Sequence, residues 1–257
     1  MTRLMFVGIG RIADAILTLK FDKFLDPLPT KTIVYYHPDI IGIKEIFDEY
    51  VDTSTFEFVN DAEILVNNPQ IELLDPWHKQ QFIKLIAVDL CTDDDIIIAD
   101  ADMFNIVPYQ YWDNGPVLYY RDATAIDTDL AGWNYYFEKL TGLKAKKDMI
   151  FVSEFVPLRR TDWISLRECI EKHTGKNWIL AIADTLEGIS FSEYTLLANW
   201  IISKNPNTKL VVQNKQCLYS KELHALKVYP TTTSICTLRL EFEEILEFEK
   251  MINRNIK

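Results

Sequence analysis

The sequence predicts an α/β fold with a central, mostly parallel sheet flanked by helices, and two observations predict it. The first 60 residues alternate strand and helix patterns in the order β-α-β-α-β, which is how a parallel sheet with covering helices reads along a chain. Ile96-Ile97-Ile98-Ala99 is an uninterrupted apolar run, the mark of a strand buried on both faces. Glycine is scarce, 8 of 257 residues, well below the usual share of ~7%, and there is no repeat or low-complexity stretch. Residues 1–257 therefore read as a single domain.

Taken in order, Leu4-Met5-Phe6-Val7 is a buried strand, followed after Gly8 and Gly10 by a helix through Ile12, Ile16 and Leu19. The run Thr32 to Tyr36 is a second strand, ended by His37-Pro38-Asp39, with a short helix through Ile43, Ile46 and Phe47 behind it. Phe56 to Val59 is the third strand. Pro76 opens a helix over Trp77 to Leu90, and the Ile96 strand runs from it into Asp100-Ala101-Asp102. Val117 to Tyr120 and Ile150 to Val156, ended by Pro157, are predicted strands, with a helix over Trp133 to Leu140 between them. Thr161 and Asp162 are placed to cap a helix that stops at Thr174-Gly175. Helices follow over Trp178 to Leu186 and Ser192 to Ile202, then short strands at Leu210 to Gln213, Lys227 to Tyr229 and Cys236 to Leu240. The acidic stretch from Glu241 to Glu249 is a terminal amphipathic helix, its Phe242, Ile245 and Phe248 stripe set to dock on the domain.

Composition narrows the function. Lys and Arg number 27 against 38 Asp and Glu, a net charge of −11, so the broad basic footprint of a nucleic-acid binder is missing. The four cysteines are scattered without a close pair, which argues against zinc and against a disulfide framework. No apolar run reaches the ~20 residues a membrane span needs, and the N-terminus does not read as a signal peptide. Cytoplasmic residence is the expectation.

Asp100 and Asp102 carry the clearest chemistry. In extended backbone, residues i and i+2 face the same side, so both carboxylates can meet one cation, and Mg²⁺ or Mn²⁺ takes one or two carboxylates together with substrate phosphate oxygens. Their place, at the C-terminal end of the most apolar strand, is where open α/β sheets bind ligands. Asp93-Asp94-Asp95 lies before that strand, at the opposite edge, and reads as a solvated turn. On the preceding helix, Gln80, Gln81 and Lys84 form a polar patch: either a contact for a nucleotide base or phosphate, or an exposed helix face.

Trp77-x-x-Gln80-Gln81-x-x-Lys84-Leu85, Asp100-x-Asp102, Arg159-Arg160-x-Asp162-Trp163, Thr174-Gly175-x-x-Trp178 and Phe191-Ser192-Glu193-Tyr194 together resemble an uncharacterised family of GT-A-type glycosyltransferases. The resemblance covers roughly residues 75 to 205 in one order. It implies a GT-A fold, a nucleotide-sugar donor and a divalent metal, Mn²⁺ or Mg²⁺, held through Asp100 and Asp102. Where that family continues with an aromatic–glycine pair, this chain has Leu197-Ala198-Asn199.

Within that frame, residues 1–105 are the expected nucleotide-sugar half and 106–257 the acceptor half, the acceptor being a carbohydrate or glycan hydroxyl. Catalysis is expected to fall to Asp102 and to Glu193, as the carboxylate that takes the acceptor proton; the other reading of Ser192-Glu193 is a helix N-terminal cap. Tyr194, Trp133 and Trp178 are candidate sugar platforms or, by their helical spacing, core. Arg159 and Arg160 follow a strand and are set to neutralise the donor diphosphate. His224, with Lys227 near it, is a candidate third metal ligand, and His37 and Asp39 are base or ribose contacts by their strand-end place. Gly8-Ile9-Gly10-Arg11-Ile12-Ala13 also fits the dinucleotide fingerprint G-x-G-x-x-G/A. An NAD(P)-binding oxidoreductase is thus the alternative enzyme, and a catalytically inactive nucleotide-binding protein the alternative outside enzymes. In the favoured reading Gly8 and Gly10 contact the donor nucleotide.

Overall fold

The computed structural model describes residues 1–123, 128–151, 155–186, 191–213, 215–219, 234–238, 244–245 and 249–250. Four strands, β1 (Thr2–Val7), β2 (Lys31–Tyr36), β3 (Phe56–Asn60) and β4 (Asp95–Asp100), run parallel. A fifth, β5 (Phe155–Arg159), closes one edge antiparallel to β4. The spatial order is β5-β4-β1-β2-β3. Helices α1 (Ile12–Lys20), α2 (Ile43–Asp48), α3 (Pro76–Leu90), α4 (Thr128–Thr141), α5 (Arg160–Thr174), α6 (Trp178–Ala183) and α7 (Glu193–Lys204) surround the sheet. The expected mixed α/β sheet with flanking helices is the observed one.

Alternation along each strand builds the two layers, because successive side chains leave opposite faces. Leu4, Phe6, Ile33, Tyr35, Ile96 and Ile98 pack with α3, α4, α5, α6 and α7 in the larger core, which holds Trp163, Trp178 and Trp200. Met5, Val7 and Val34 face the other way, onto Ile16 and Leu17 of α1 and Ile43 and Phe47 of α2. The Ile96–Ala99 run is buried throughout, as a strand covered on both faces requires, and it lies beside the middle strand β1. Trp178 and Tyr194 are core members. Ile245, from the expected docking stripe, is fully buried in the α1 core, while Phe242 and Phe248 lie outside the described residues, as do Lys227 to Tyr229.

Three expectations change. The strand predicted over Ile150 to Val156 is two strands in different sheets: Met149–Ile150 pairs with Leu118–Asp122, and Phe155–Arg159 belongs to the main sheet. Pro157 sits inside β5 instead of ending a strand, which an edge strand tolerates because no partner waits for its missing N–H. Helix α5 begins one residue before the predicted cap pair. The Asp162 carboxylate accepts from the backbone N–H of Arg159 at 3.0 Å, and Gly175, with φ of 68°, ends the helix. The helix predicted over Trp178 to Leu186 ends at Ala183.

Candidate functional site

Because β1 to β4 are parallel, their C-terminal ends share one edge, where open α/β sheets bind ligands. At β1 that edge carries the turn Gly8-Ile9-Gly10-Arg11, closed by the Arg11 N–H donating to the Gly8 carbonyl at 3.1 Å. Gly10 has a φ of +75°, in the left-handed region that favours glycine. At β2 the edge carries His37 and Asp39; the His37 N–H donates to Val7 O at 3.3 Å, and the Asp39 N–H to His37 Nδ1 at 3.2 Å. Asp61 follows β3, its carboxyl pushed up by burial against the pull of His37 and Lys79. Beyond β4 stand Asp100 and Asp102. Gly8, Gly10, His37, Asp39, Asp100 and Asp102 are therefore brought to one edge, as strand polarity predicts.

The Asp-Ala-Asp turn is held from below. The Thr18 hydroxyl of α1 donates to the Ala101 carbonyl at 2.8 Å, both residues buried. The two carboxylates keep partial exposure, 21% for Asp100 and 20% for Asp102. Each meets a cation of the chain: Arg11 Nη1 lies 3.5 Å from Asp102 Oδ2, and Lys84 Nζ lies 2.6 Å from Asp100 Oδ1. Arg11 also reaches Asp14 Oδ2 at 3.3 Å. Arg11 was not among the expected site residues. Its signal was its place, directly after the glycine pair and at the N-cap of α1.

Gln81 and Lys84 are 3% and 1% exposed, so the exposed-face reading does not hold for them, and both side chains turn inward. Helix α3 is buried continuously from Gln81 to Val88, and its polar side chains are satisfied inward. Lys84 Nζ donates to Glu193 Oε1 at 2.7 Å and to the Tyr194 hydroxyl at 3.2 Å, beside its contact with Asp100. The Gln81 carboxamide lies against Glu193; with its nitrogen turned to that carboxylate it donates to Oε1 at 2.7 Å. Burial pulls the Lys84 ammonium down, but the Asp100 and Glu193 charges outweigh it and hold its pKa above the ordinary lysine value. Burial pushes the Glu193 carboxyl up, and Lys84, shared with Asp100, does not bring it back.

Glu193 lies inside the protein beside them. It is 1% exposed and opens α7, with the Ser192 hydroxyl accepting from the Thr195 N–H at 3.2 Å. A base must come within hydrogen-bond reach of the proton it takes, and this carboxylate faces Lys84 and Gln81 inside the protein. In this arrangement it pairs with the Lys84 ammonium at 2.7 Å. Tyr194, 3% exposed and over Lys84, offers no open ring to a sugar.

Arg159 and Arg160 are not brought to the edge that carries Asp100. Since β5 runs antiparallel, Arg159 stands opposite Asp95 at the start of β4, about 17 Å of strand from Asp100 at ~3.3 Å per residue. Arg159 Nη2 donates to Asn114 O at 3.3 Å, and Arg160 Nε to Cys91 O at 2.8 Å. They serve the opposite edge of the sheet. His224 lies outside the described residues. Among the described residues no group of three or more His, Cys, Asp or Glu could hold a metal, and no helix is long and apolar enough to cross a membrane.

Comparison with known proteins adds the family. The profile described as "Family of unknown function (DUF6492)" matches residues 8–227, most of the chain. The protein is a member of DUF6492. No curated protein matches the chain. Among solved structures, galactosyltransferase LgtC in complex with donor and acceptor sugar analogues is similar over 98% of this chain and 96% of that one, at 12% identity and a TM-score of 0.52. An active-site mutant of LgtC is similar over 100% of both chains, at 12% identity and a TM-score of 0.53. This DUF6492 chain therefore has a GT-A-like fold, as expected.

Proposed function

We propose that the protein is a glycosyltransferase that moves a sugar from a nucleotide-diphosphate donor to the hydroxyl of a carbohydrate or glycan acceptor, with Mn²⁺ or Mg²⁺ held through Asp100 and Asp102. The observation that carries this reading is the pair of partly exposed carboxylates on Asp100 and Asp102, at the ligand-binding edge of a sheet with GT-A-like topology. The donor set suits the metal: carboxylate oxygens are hard ligands, and such ions take one or two of them with phosphate oxygens and water filling the rest. An ion bound there would act as a Lewis acid on the departing nucleoside diphosphate.

The chain's own residues have separable tasks in this reading. Asp100 and Asp102 hold the cation; Arg11, a fork of donors beside Asp102, meets phosphate oxygens. Gly8 and Gly10 leave the β1 turn open, no atom lying within 4 Å of where a Cβ would stand on either, so the donor approaches backbone there. His37 and Asp39 face the nucleoside. Residues 1–105 supply these donor contacts and 106–257 the acceptor side of one domain.

Thermal shift with uridine, guanosine and cytidine diphosphates, each with and without Mn²⁺, tests the proposal. Stabilisation that needs both metal and a nucleoside diphosphate, together with Mn²⁺-dependent turnover of the matching nucleotide sugar, is expected. Stabilisation by NAD without metal overturns it in favour of an oxidoreductase, and metal-dependent binding without turnover leaves an inactive nucleotide binder.

A further inference from the structure

Lys84 stands at the centre of a closed electrostatic unit. Lys84 Nζ donates to Glu193 Oε1 at 2.7 Å and to the Tyr194 hydroxyl at 3.2 Å, and it forms an ion pair with Asp100 Oδ1 at 2.6 Å. The Tyr194 ring centroid lies 4.5 Å away, adding the attraction of its face. Lys84, Glu193 and Tyr194 are each at most 3% exposed. Formal charges of −1 on Asp100, −1 on Glu193 and +1 on Lys84 leave the unit at −1.

Stability alone does not call for an ammonium here. A buried ion pair gains little over a well-packed apolar replacement, because desolvation offsets most of the attraction. What the ammonium does supply is a compact, full positive charge between two carboxylates, and one or two carboxylates are also what a hard divalent ion takes from a protein. We propose that Lys84 is a built-in cation that fills, between Asp100 and Glu193, the place a divalent ion would otherwise occupy. It commits Asp100 Oδ1 inward and leaves the other oxygen of Asp100 for ligands at the strand-end edge. Lys84 is thus a positioning residue acting through Asp100, and Glu193 and Gln81 are what hold it.

The test uses the full chain and Mn²⁺ alone, with free Mn²⁺ read by electron paramagnetic resonance. Replacing Lys84→Gln opens the place between the carboxylates, and one Mn²⁺ is expected to bind at least about tenfold more tightly than to the wild type. Lys84→Arg keeps the charge and stays at the wild-type level. Adding Glu193→Gln to Lys84→Gln removes the gain. A Lys84→Gln chain that is unfolded without metal is expected to fold when Mn²⁺ is added, read by circular dichroism. The proposal is overturned by a folded Lys84→Gln protein with unchanged or weaker Mn²⁺ affinity, by a gain that survives Glu193→Gln, or by a Lys84→Gln chain that Mn²⁺ does not restore. No nucleotide enters the measurement, so the result is independent of whether the wild type binds nucleoside diphosphates.

Discussion

The Thr18 hydroxyl donates to the carbonyl of Ala101 at 2.8 Å, tying helix α1 to the middle residue of the Asp-Ala-Asp turn. Both groups are buried, so Thr18→Val, nearly the same in shape, leaves a buried carbonyl without its donor. A loss of about 1–3 kcal/mol is expected on urea unfolding, and Thr18→Ser restores most of it. If the bond also fixes the carboxylate pair, the folded Thr18→Val protein binds Mn²⁺ with a nucleoside diphosphate more weakly. An unfolding midpoint equal to wild type removes the structural claim.

The two glycines of the β1 turn separate folding from ligand contact. Gly10→Ala forces an L side chain to a φ of +75° and should cost roughly 1 kcal/mol or more. Gly8 has no positive φ and no atom within 4 Å of a built Cβ, so Gly8→Ala leaves the melting temperature within a degree or two. A Cβ at Gly8 projects into the space assigned to the donor, and nucleoside diphosphate affinity is expected to drop severalfold. Unchanged affinity in Gly8→Ala places the donor elsewhere.

The arginine pair gives a negative control with a positive half. Arg159→Ala removes an exposed contact with Asn114 O and a guanidinium 5.9 Å from the Trp112 ring. Arg160→Ala removes the 2.8 Å bond to Cys91 O, a charged donor worth about 1–2 kcal/mol. Neither change should alter nucleoside diphosphate binding, since both residues serve the edge of the sheet opposite Asp100. A selective loss of binding in a normally stable Arg159→Ala protein refutes that placement.

The contrast between the arginines and the aspartates marks where sequence reasoning reaches. Strands joined through a helix pair parallel as a rule, so Gly8, His37, Asp39 and Asp100 could be assigned to a shared edge from pattern alone. Nothing in Phe155-Val156-Pro157-Leu158 encodes direction: an apolar run reads the same parallel or antiparallel, and reversing β5 moves Arg159 to the far edge. The burial of Lys84 is hidden from sequence for another reason. The residues one turn before it, Gln80 and Gln81, are polar, which suggests a solvated face, but its partner Glu193 lies 109 residues away, and no local period reports a polar side chain satisfied from that distance. The motif singles out Glu193 without saying which way its side chain faces, and packing turns it inward.

Asp75, the N-cap of α3, makes the stability of the helix that carries Lys84 depend on pH. Its carboxylate accepts from the Trp77 N–H at 3.1 Å and the His78 N–H at 3.2 Å, and it also contacts His78 Nδ1. The His78 side chain, and with it these backbone donors, hold the Asp75 carboxyl below its ordinary value of 3.8 against a small burial penalty. A carboxyl whose pKa is lower in the folded state contributes stability above the unfolded value, and that contribution fades as pH falls through the folded one. Asp75→Ala should therefore cost about 1 kcal/mol at pH 6, with the difference from wild type shrinking as pH drops below ~4. Asp75→Asn keeps an acceptor for the two N–H groups but loses the charge, so it should retain part of the stability at pH 6 without the pH dependence. Chemical denaturation of the three proteins from pH 6 to pH 3 decides it: a gap between wild type and Asp75→Ala that stays constant over that range means the cap acts without its charge.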